Sequence, residues 1–324
     1  MNVLTMPTIG MAGFVERWEV VNKDGSIARA CYVPQKNMIL DSGLDLFYTS
    51  AVLGLGLGGW YINYFAIGTG TTAPSYTDTT LGTEKYRAAC AYATWDSTTY
   101  SAQGASPYYV YQQRGVETPM GALDSSIDGE YGEIGFSNSA STDGTLFSKF
   151  RIVDELGNPT TIYVSSTQQL RLKYILRFQL IPDVSTHYAP TITGIGAWGF
   201  DALWQSTVLF SNLIHACATN TFRPYLYAFS GTPTLDTIGG NFSVVGGSSD
   251  YVILKESSYT NGNHYIDKTA LFGVNDAVFT INGFYFTVYS RRGYVSWAMV
   301  LDTPLAKPNT HALSLTFRFP WARA

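Results

Sequence analysis

Leu170-Arg171-Leu172-Lys173-Tyr174-Ile175-Leu176-Arg177-Phe178-Gln179-Leu180 alternates apolar and polar side chains with a period of two. A β-strand turns successive side chains to opposite faces, so this spacing makes one face apolar and the other charged. The segment reads as a half-buried strand, with Ile175 the single apolar exception on the outward face. Working outward, the rest of the chain follows the same grammar. Residues 14–20 are β-rich, Asn22-Lys23-Asp24-Gly25 supplies a turn, and residues 27–33 return as a second strand. Further strands are expected at 60–68, 85–93, 108–114, 132–137 and 146–153. The last leads through the turn Asp154-Glu155-Leu156-Gly157-Asn158-Pro159 into 160–164.

Residues 182–190 read as a linker, and a second β-rich half follows. Its strands are expected at 222–229, 241–245, 250–255, 277–289, 293–301 and 311–319. Two segments read as helix. Asp41 or Ser42 can N-cap a short helix running to about residue 53, where the Gly-rich stretch 54–59 ends it. Residues 200–218 space Phe200, Leu203, Trp204, Val208, Leu209, Leu213 and Ile214 near 3.6. The expected fold is all-β, with two β-sandwich domains of jelly-roll type and at most two short helices. The expected divisions are an N-terminal arm at 1–13, one domain at 14–185 and a second at 190–324.

Composition narrows the function. Hydrophobic residues make up 46% of the 324 and charged residues only 14%, against about 25% charged in an ordinary soluble domain. So few charges on so many strands imply sheets covered by neighbours, as in a trimer or ring. Ser, Thr, Asn and Tyr can also solvate such a surface without charge. Aromatic residues reach 15%, with 23 Tyr, and these serve both core edges and interfaces. The formal net charge is −4, and the only adjacent basic pair is Arg291-Arg292. Nucleic-acid binding needs a basic footprint that this chain lacks. Three widely spaced cysteines, Cys31, Cys90 and Cys217, argue against a disulfide framework. No run of about 18 apolar residues marks a membrane span, and the N-terminus lacks the pattern of a secretory signal. Synthesis and folding in a cytoplasm, without membrane insertion, are expected.

Catalytic patterns are absent from the sequence. No Gly-x-Ser-x-Gly elbow occurs. His187, His215, His264 and His311 have no ligand-spaced partner, and His215 and Cys217 would face different sides of a helix. No enzyme activity and no cofactor are expected. Asp124, Asp128, Glu130 and Glu133 offer closely spaced oxygens that can suit Ca²⁺, but their spacing does not match an EF-hand loop and a solvated acidic loop is the favoured reading. Asp236, Asp250 and Glu256 do not form a readable glycosidase pair. Aromatic rings stack on sugar faces, which marks Tyr108, Tyr109 and Tyr111, and also Tyr285, Tyr289, Tyr294 and Trp297, as glycan or interface candidates. Core or inter-subunit packing is the competing reading for each.

Three segments carry a resemblance. The first is Asn37-Met38-Ile39-Leu40-Asp41-Ser42-Gly43-Leu44-Asp45. The second is Ile67-Gly68-Thr69-Gly70-Thr71-Thr72-Ala73-Pro74-Ser75, with Asp78, Thr79, Leu81 and Glu84. The third joins Glu133-Ile134-Gly135-Phe136, Leu146-Phe147-Ser148-Lys149 and the 154–159 turn. Together they resemble a family of bacteriophage tail-associated virion proteins, with Lys149 where that family has Arg. The resemblance spans roughly residues 14–185. It implies a non-enzymatic structural component of a virion (tail fibre, baseplate or collar), located in the particle and partnered by copies of itself and other virion proteins. The alternative it leaves open is a receptor-binding fibre or spike that contacts host-surface glycan. Read physically, Gly68 and Gly70 permit unusual backbone angles, the threonines form side-chain turns, and Pro74 sets a rigid exit. No Lys follows as a phosphate-binding loop requires.

Overall fold

The computed structural model describes residues 3–5, 8–52, 63–90, 101–102, 109–117, 128–142, 144–181, 186–188, 191–192, 196–197, 200–204, 225–235, 242–287 and 295–324. The fold is all-β, with one helix among the described residues. In the first half the elements are β1 (Val3–Thr5), β2 (Thr8–Asn22), β3 (Ile27–Cys31), β4 (Gln35–Ile39), α1 (Asp41–Val52), β5 (Tyr64–Gly68) and β6 (Glu84–Ala89). They continue as β7 (Ser101–Ala102), β8 (Tyr109–Glu117), β9 (Gly129–Tyr131), β10 (Glu133–Ser137), β11 (Leu146–Arg151), β12 (Ile162–Val164) and β13 (Gln168–Ile181). The second half begins with β14 (Thr186–Tyr188), β15 (Thr191–Ile192), β16 (Gly196–Ala197), β17 (Phe200–Trp204), β18 (Tyr225–Phe229) and β19 (Thr232–Leu235). It ends with β20 (Phe242–Val245), β21 (Ser249–Ile253), β22 (Lys255–Glu256), β23 (Tyr265–Phe272), β24 (Thr280–Thr287), β25 (Val295–Ala306) and β26 (Leu313–Arg323).

The alternating segment is β13. Leu170, Leu172, Tyr174, Leu176 and Phe178 are buried, while Arg171, Lys173, Ile175 and Arg177 lie on the half-exposed face. Along its whole length β13 pairs antiparallel with β2. A bulge interrupts the register between Lys173 and Tyr174, where Arg17 and Val15 are the partners and Glu16 is the extra residue. The bulge keeps Val15 and Trp18 on the same inner face and frees Glu16 to reach Lys173 Nζ at 2.6 Å.

The other edge of β2 is shared by three strands. β26 pairs with residues 9–11 in parallel, β4 with 13–15 and β3 with 18–21. From β2, β4 crosses to β11 and opens a second row of strands in the order β4-β11-β10-β5-β6. β10 and β13 do not pair, yet they meet through Phe136 and Tyr174, whose ring centroids are 4.0 Å apart. The helix closes one end of this core, with Phe47 against Phe178 and Trp321.

In the second half, β14-β17-β25-β24-β18-β21 form a separate sheet. Its apolar face reaches β23 and β26 through Phe272–Phe284 and Phe286–Phe317. β26 itself pairs with β23, β1 and β2, so hydrogen bonding crosses the division expected near 185–190.

Several expectations change. Residues 8–13, assigned to an arm, are the first part of β2, because Ile9 and Met11 are buried on its inner face. The helix expected at 200–218 is a strand over Phe200–Trp204, set by pairing with Trp297–Leu301 of β25, and the remainder lies outside the described residues. β23 was not expected. Its inward positions are Ile266, Lys268, Ala270 and Phe272, and the Lys at 2% exposure breaks the apolar alternation that sequence reading relies on.

Candidate functional site

The three segments that carry the resemblance come together in the β4-β11-β10-β5-β6 row. Glu133 opens β10 and stands opposite Gly68, the last residue of β5. The Glu133 carboxylate faces the loop that leaves β5. Its Oε1 accepts the Gly70 and Thr83 amides, each at 3.1 Å. Its Oε2 pairs with Lys149 Nζ of β11 at 3.1 Å. Lys149 also reaches Asp78 Oδ2 at 3.0 Å and donates to the Thr80 carbonyl at 3.4 Å. Glu133 is 1% exposed and Lys149 4%.

A buried carboxylate is tolerated only when charge and hydrogen bonds replace its hydration. Here one cation and two backbone amides do so. The close approach depends on glycine, because a β-carbon at Gly70 would overlap the Glu133 carboxylate.

The same loop is tied to the helix and to the C-terminal strand. The Asp41 amide donates to the Tyr76 carbonyl at 2.8 Å, and the Leu146 amide to the Thr79 carbonyl at 2.9 Å. Ser42 Oγ donates to the Leu146 carbonyl at 2.7 Å. Arg323 bonds the Ile39 carbonyl and Asp41, and its guanidinium lies 4.0 Å from the Tyr76 ring. The outward surface of residues 69–83 is mostly threonine, with Ala73, Ser75 and Tyr76, and its one charge is the part-exposed Asp78, paired with Lys149. The buried acid and base are fully engaged with each other and the loop. A general acid or base needs a lone pair or proton presented to substrate, and Glu133 presents neither. What the arrangement does is tie a polar, Thr-rich loop to the sheet beneath it.

Among the expected Ca²⁺ oxygens, Asp124 lies outside the described residues. Asp128 accepts the Tyr163 hydroxyl at 2.6 Å, Glu130 is exposed on β9, and Glu133 is committed to Lys149. No set of three metal-ligating side chains occurs among the described residues.

Tyr108, Tyr289 and Tyr294 lie outside the described residues, as do His215, Cys217 and Asp236. Tyr109 and Tyr111 belong to β8 and His187 to β14; Trp297, in β25, stands opposite Trp204 and Phe286. Glu256 belongs to β22, while Asp250 accepts the Tyr251 and Ala277 amides at the edge of β21.

Tyr285 joins a cross-strand aromatic row with Tyr227, Tyr251 and Tyr225. Tyr227 and Tyr285 stack at 4.7 Å with planes 5° apart, and Tyr251 leans on Tyr227 at 5.2 Å. Burial, and then the neighbouring Tyr227, push the Tyr285 phenol up to about 12. The stacked faces cover each other. Sequence reasoning missed Tyr225, Tyr227 and Tyr251, although the Tyr-x-Tyr alternation of β18 was visible. It also missed the convergence of Asp78, Glu133 and Lys149, which no local spacing encodes. A further joint was invisible in the sequence. Asp45 of α1 accepts the Tyr259 hydroxyl at 2.5 Å and the Gly262 amide at 2.8 Å, with His264 Nε2 3.6 Å away.

No family model, curated protein or solved structure matches this chain.

Proposed function

We propose that the chain is a non-enzymatic structural component of a bacteriophage virion, in the tail, baseplate or collar, and that it assembles as an oligomer with itself and other virion proteins. The single observation that carries this reading is that the second and third resembling segments meet at one buried node, while the first is tied to the same loop by the Asp41 amide on the Tyr76 carbonyl. Glu133 and Lys149 fix the 69–83 loop from below and leave it Asp78, paired with Lys149, as its one charge. A pre-ordered loop whose one charge, Asp78, is already paired with Lys149 loses little conformational entropy when another chain covers it. The low charge of the whole chain points the same way.

In this proposal the fold is a pair of β-sandwich layers, one meeting at Phe136 and Tyr174 and the other at Phe286 and Phe317. The engaged state of Glu133 and Lys149 favours a structural over a catalytic role. The alternative of a host-glycan receptor site draws on the tyrosine row, but Tyr227 and Tyr285 spend their stacked faces on each other. The test is imaging of particles carrying a labelled copy of this chain, with the purified protein's solution mass beside it. Label at a fixed position in the particle and an oligomeric mass are expected. A stable monomer that never enters particles overturns the proposal.

A further inference from the structure

The core of the first half turns polar along the inner face of β4. Gln35 stands opposite Val15 and Asn37 opposite Gly13, both on the side that faces Tyr174 and Leu176. Asn37 is 1% exposed, and neither its Oδ1 nor its Nδ2 meets a hydrogen-bond partner. Gln35 Nε2 donates to the Val153 carbonyl at 2.9 Å and approaches Cys31 Sγ at 3.1 Å, which fixes that amide's orientation. Its Oε1 is thereby left buried and without a donor. Trp18 stands opposite the same Cys31, and its Nε1–H is buried without an acceptor.

Nearby, the Tyr174 hydroxyl and Ser148 Oγ share a hydrogen bond of 3.1 Å. A β-carbon at Gly13 would overlap the Tyr174 hydroxyl and come 3.3 Å from Asn37 Cβ. The glycine therefore brings the hydroxyl pair and the amide to one notch.

The unmet groups are complementary: an indole donor and a glutamine acceptor on residues that both flank Cys31, then an amide that needs both. Buried polar groups left unmade each cost a sizeable part of a domain's net stability, and native interiors meet them with protein or solvent. Trp18, Cys31, Gln35, Asn37, Ser148 and Tyr174 carry no charge, and the Arg29 guanidinium, 5.5 Å from the Trp18 ring centre, is bonded to the Thr161 carbonyl and the Thr160 hydroxyl, so the unmet groups themselves call for a neutral partner. The ligand must be small, neutral, and able to donate and accept at once. We propose that ordered internal water occupies this seam, one molecule bridging Trp18 Nε1–H to Gln35 Oε1 and another held by the Asn37 amide at the Gly13 notch. The location matters because β4 is the strand that leaves β2 and continues to β11. A slip of one residue would turn Gln35 and Asn37 outward, so bound solvent fixes the register at this crossing.

The test is an electron-density or cryo-EM map of the whole protein fine enough to show solvent. Density for water is expected within about 3.2 Å of Trp18 Nε1, Gln35 Oε1 and the Asn37 amide. Absence of such density around well-ordered side chains, or a protein group filling those bonds, overturns the proposal. In solution, the Trp18 indole proton is expected to show a cross-relaxation peak with long-lived water, assigned by its loss in Trp18→Phe; no peak counts against the seam. Asn37→Leu, of similar volume, is expected to lower the Tm because the water loses its amide partner, whereas a dry, unsatisfied amide would give a rise.

Discussion

Replacing Lys149 with Met removes the cation beneath the 69–83 loop and keeps the length of the side chain. The charge lost stands 3.1 Å from Glu133 Oε2 and 3.0 Å from Asp78 Oδ2. Glu133 is 1% exposed and cannot recover hydration by turning outward. Its two amide donors remain, but they do not neutralise a full charge. Removing one partner of a buried pair costs about 3–5 kcal/mol, and Lys149→Met is expected in that range. Asp78 is the outer partner, with 28% of its side chain exposed, so Asp78→Asn is expected to cost no more than about 1 kcal/mol. Adding Glu133→Gln to Lys149→Met removes the stranded charge and keeps an acceptor for the Gly70 and Thr83 amides. The double variant should recover about 1–3 kcal/mol relative to the single. Urea unfolding followed by tryptophan fluorescence gives the energies, and amide exchange at Gly70 and Thr83 reports the loop itself. A Lys149→Met protein within about 1 kcal/mol of the parent, or a double variant no better than the single, would refute the role given to this ion pair.

Gly43→Ala ordinarily favours a helix by about 1 kcal/mol, but here a β-carbon would overlap the Phe147 carbonyl oxygen, so a loss of about 1–3 kcal/mol is expected; a higher unfolding midpoint would contradict that approach. Trp321→Phe deletes the Nε1–H bond to the Leu44 carbonyl, 2.8 Å long and buried, and should cost about 1–2 kcal/mol in the same assay, with Trp321→Leu costing more because the Phe47 ring also loses its neighbour. The Asp154 carboxylate accepts the Asn158 and Leu156 amides, and these bonds, with the Asn158 one foremost, hold its pKa below the usual carboxylate value. Because the folded value is depressed, its contribution to the turn is present above the unfolded value of about 3.9 and is lost as pH falls through the folded one. Amide shifts of Leu156 and Asn158 are therefore expected to titrate with a midpoint under that value, and a midpoint at or above it would contradict the turn geometry.

The fold was legible where side-chain alternation was uninterrupted. Residues 170–180 place Leu, Leu, Tyr, Leu and Phe inward as read, and Ile175 does lie on the other face. The helix after residue 40 was legible as well, but Asp41 and Ser42 do not cap it: both lie inside α1, the Leu44 amide bonds the Leu40 carbonyl, and their side chains go to Arg323 and the Leu146 carbonyl. Legibility ended where the interior is polar. β4 hides behind Gln35 and Asn37, and β23 behind Lys268, since each puts a hydrophilic residue on a buried face. At Phe200–Trp204 the apolar spacing fits helix and strand alike, and only the partner strand β25 decides between them. Glu133 looked like a member of an acidic loop because its neighbours in sequence are acidic. Its neighbours in space are Lys149, Gly70 and Thr83, reached through the pairing of β10 with β5 and β11. No linear spacing records that pairing.

The most direct measurement is quantitative mass spectrometry of gradient-purified phage particles made from a genome that encodes this chain. A structural role in the virion predicts the intact polypeptide at a fixed ratio to the major tail and capsid proteins, cross-linked to itself or to a neighbour through residues of the 69–83 loop surface. Particles that are complete and infectious without it, with the polypeptide left behind as a free monomer, would contradict that role.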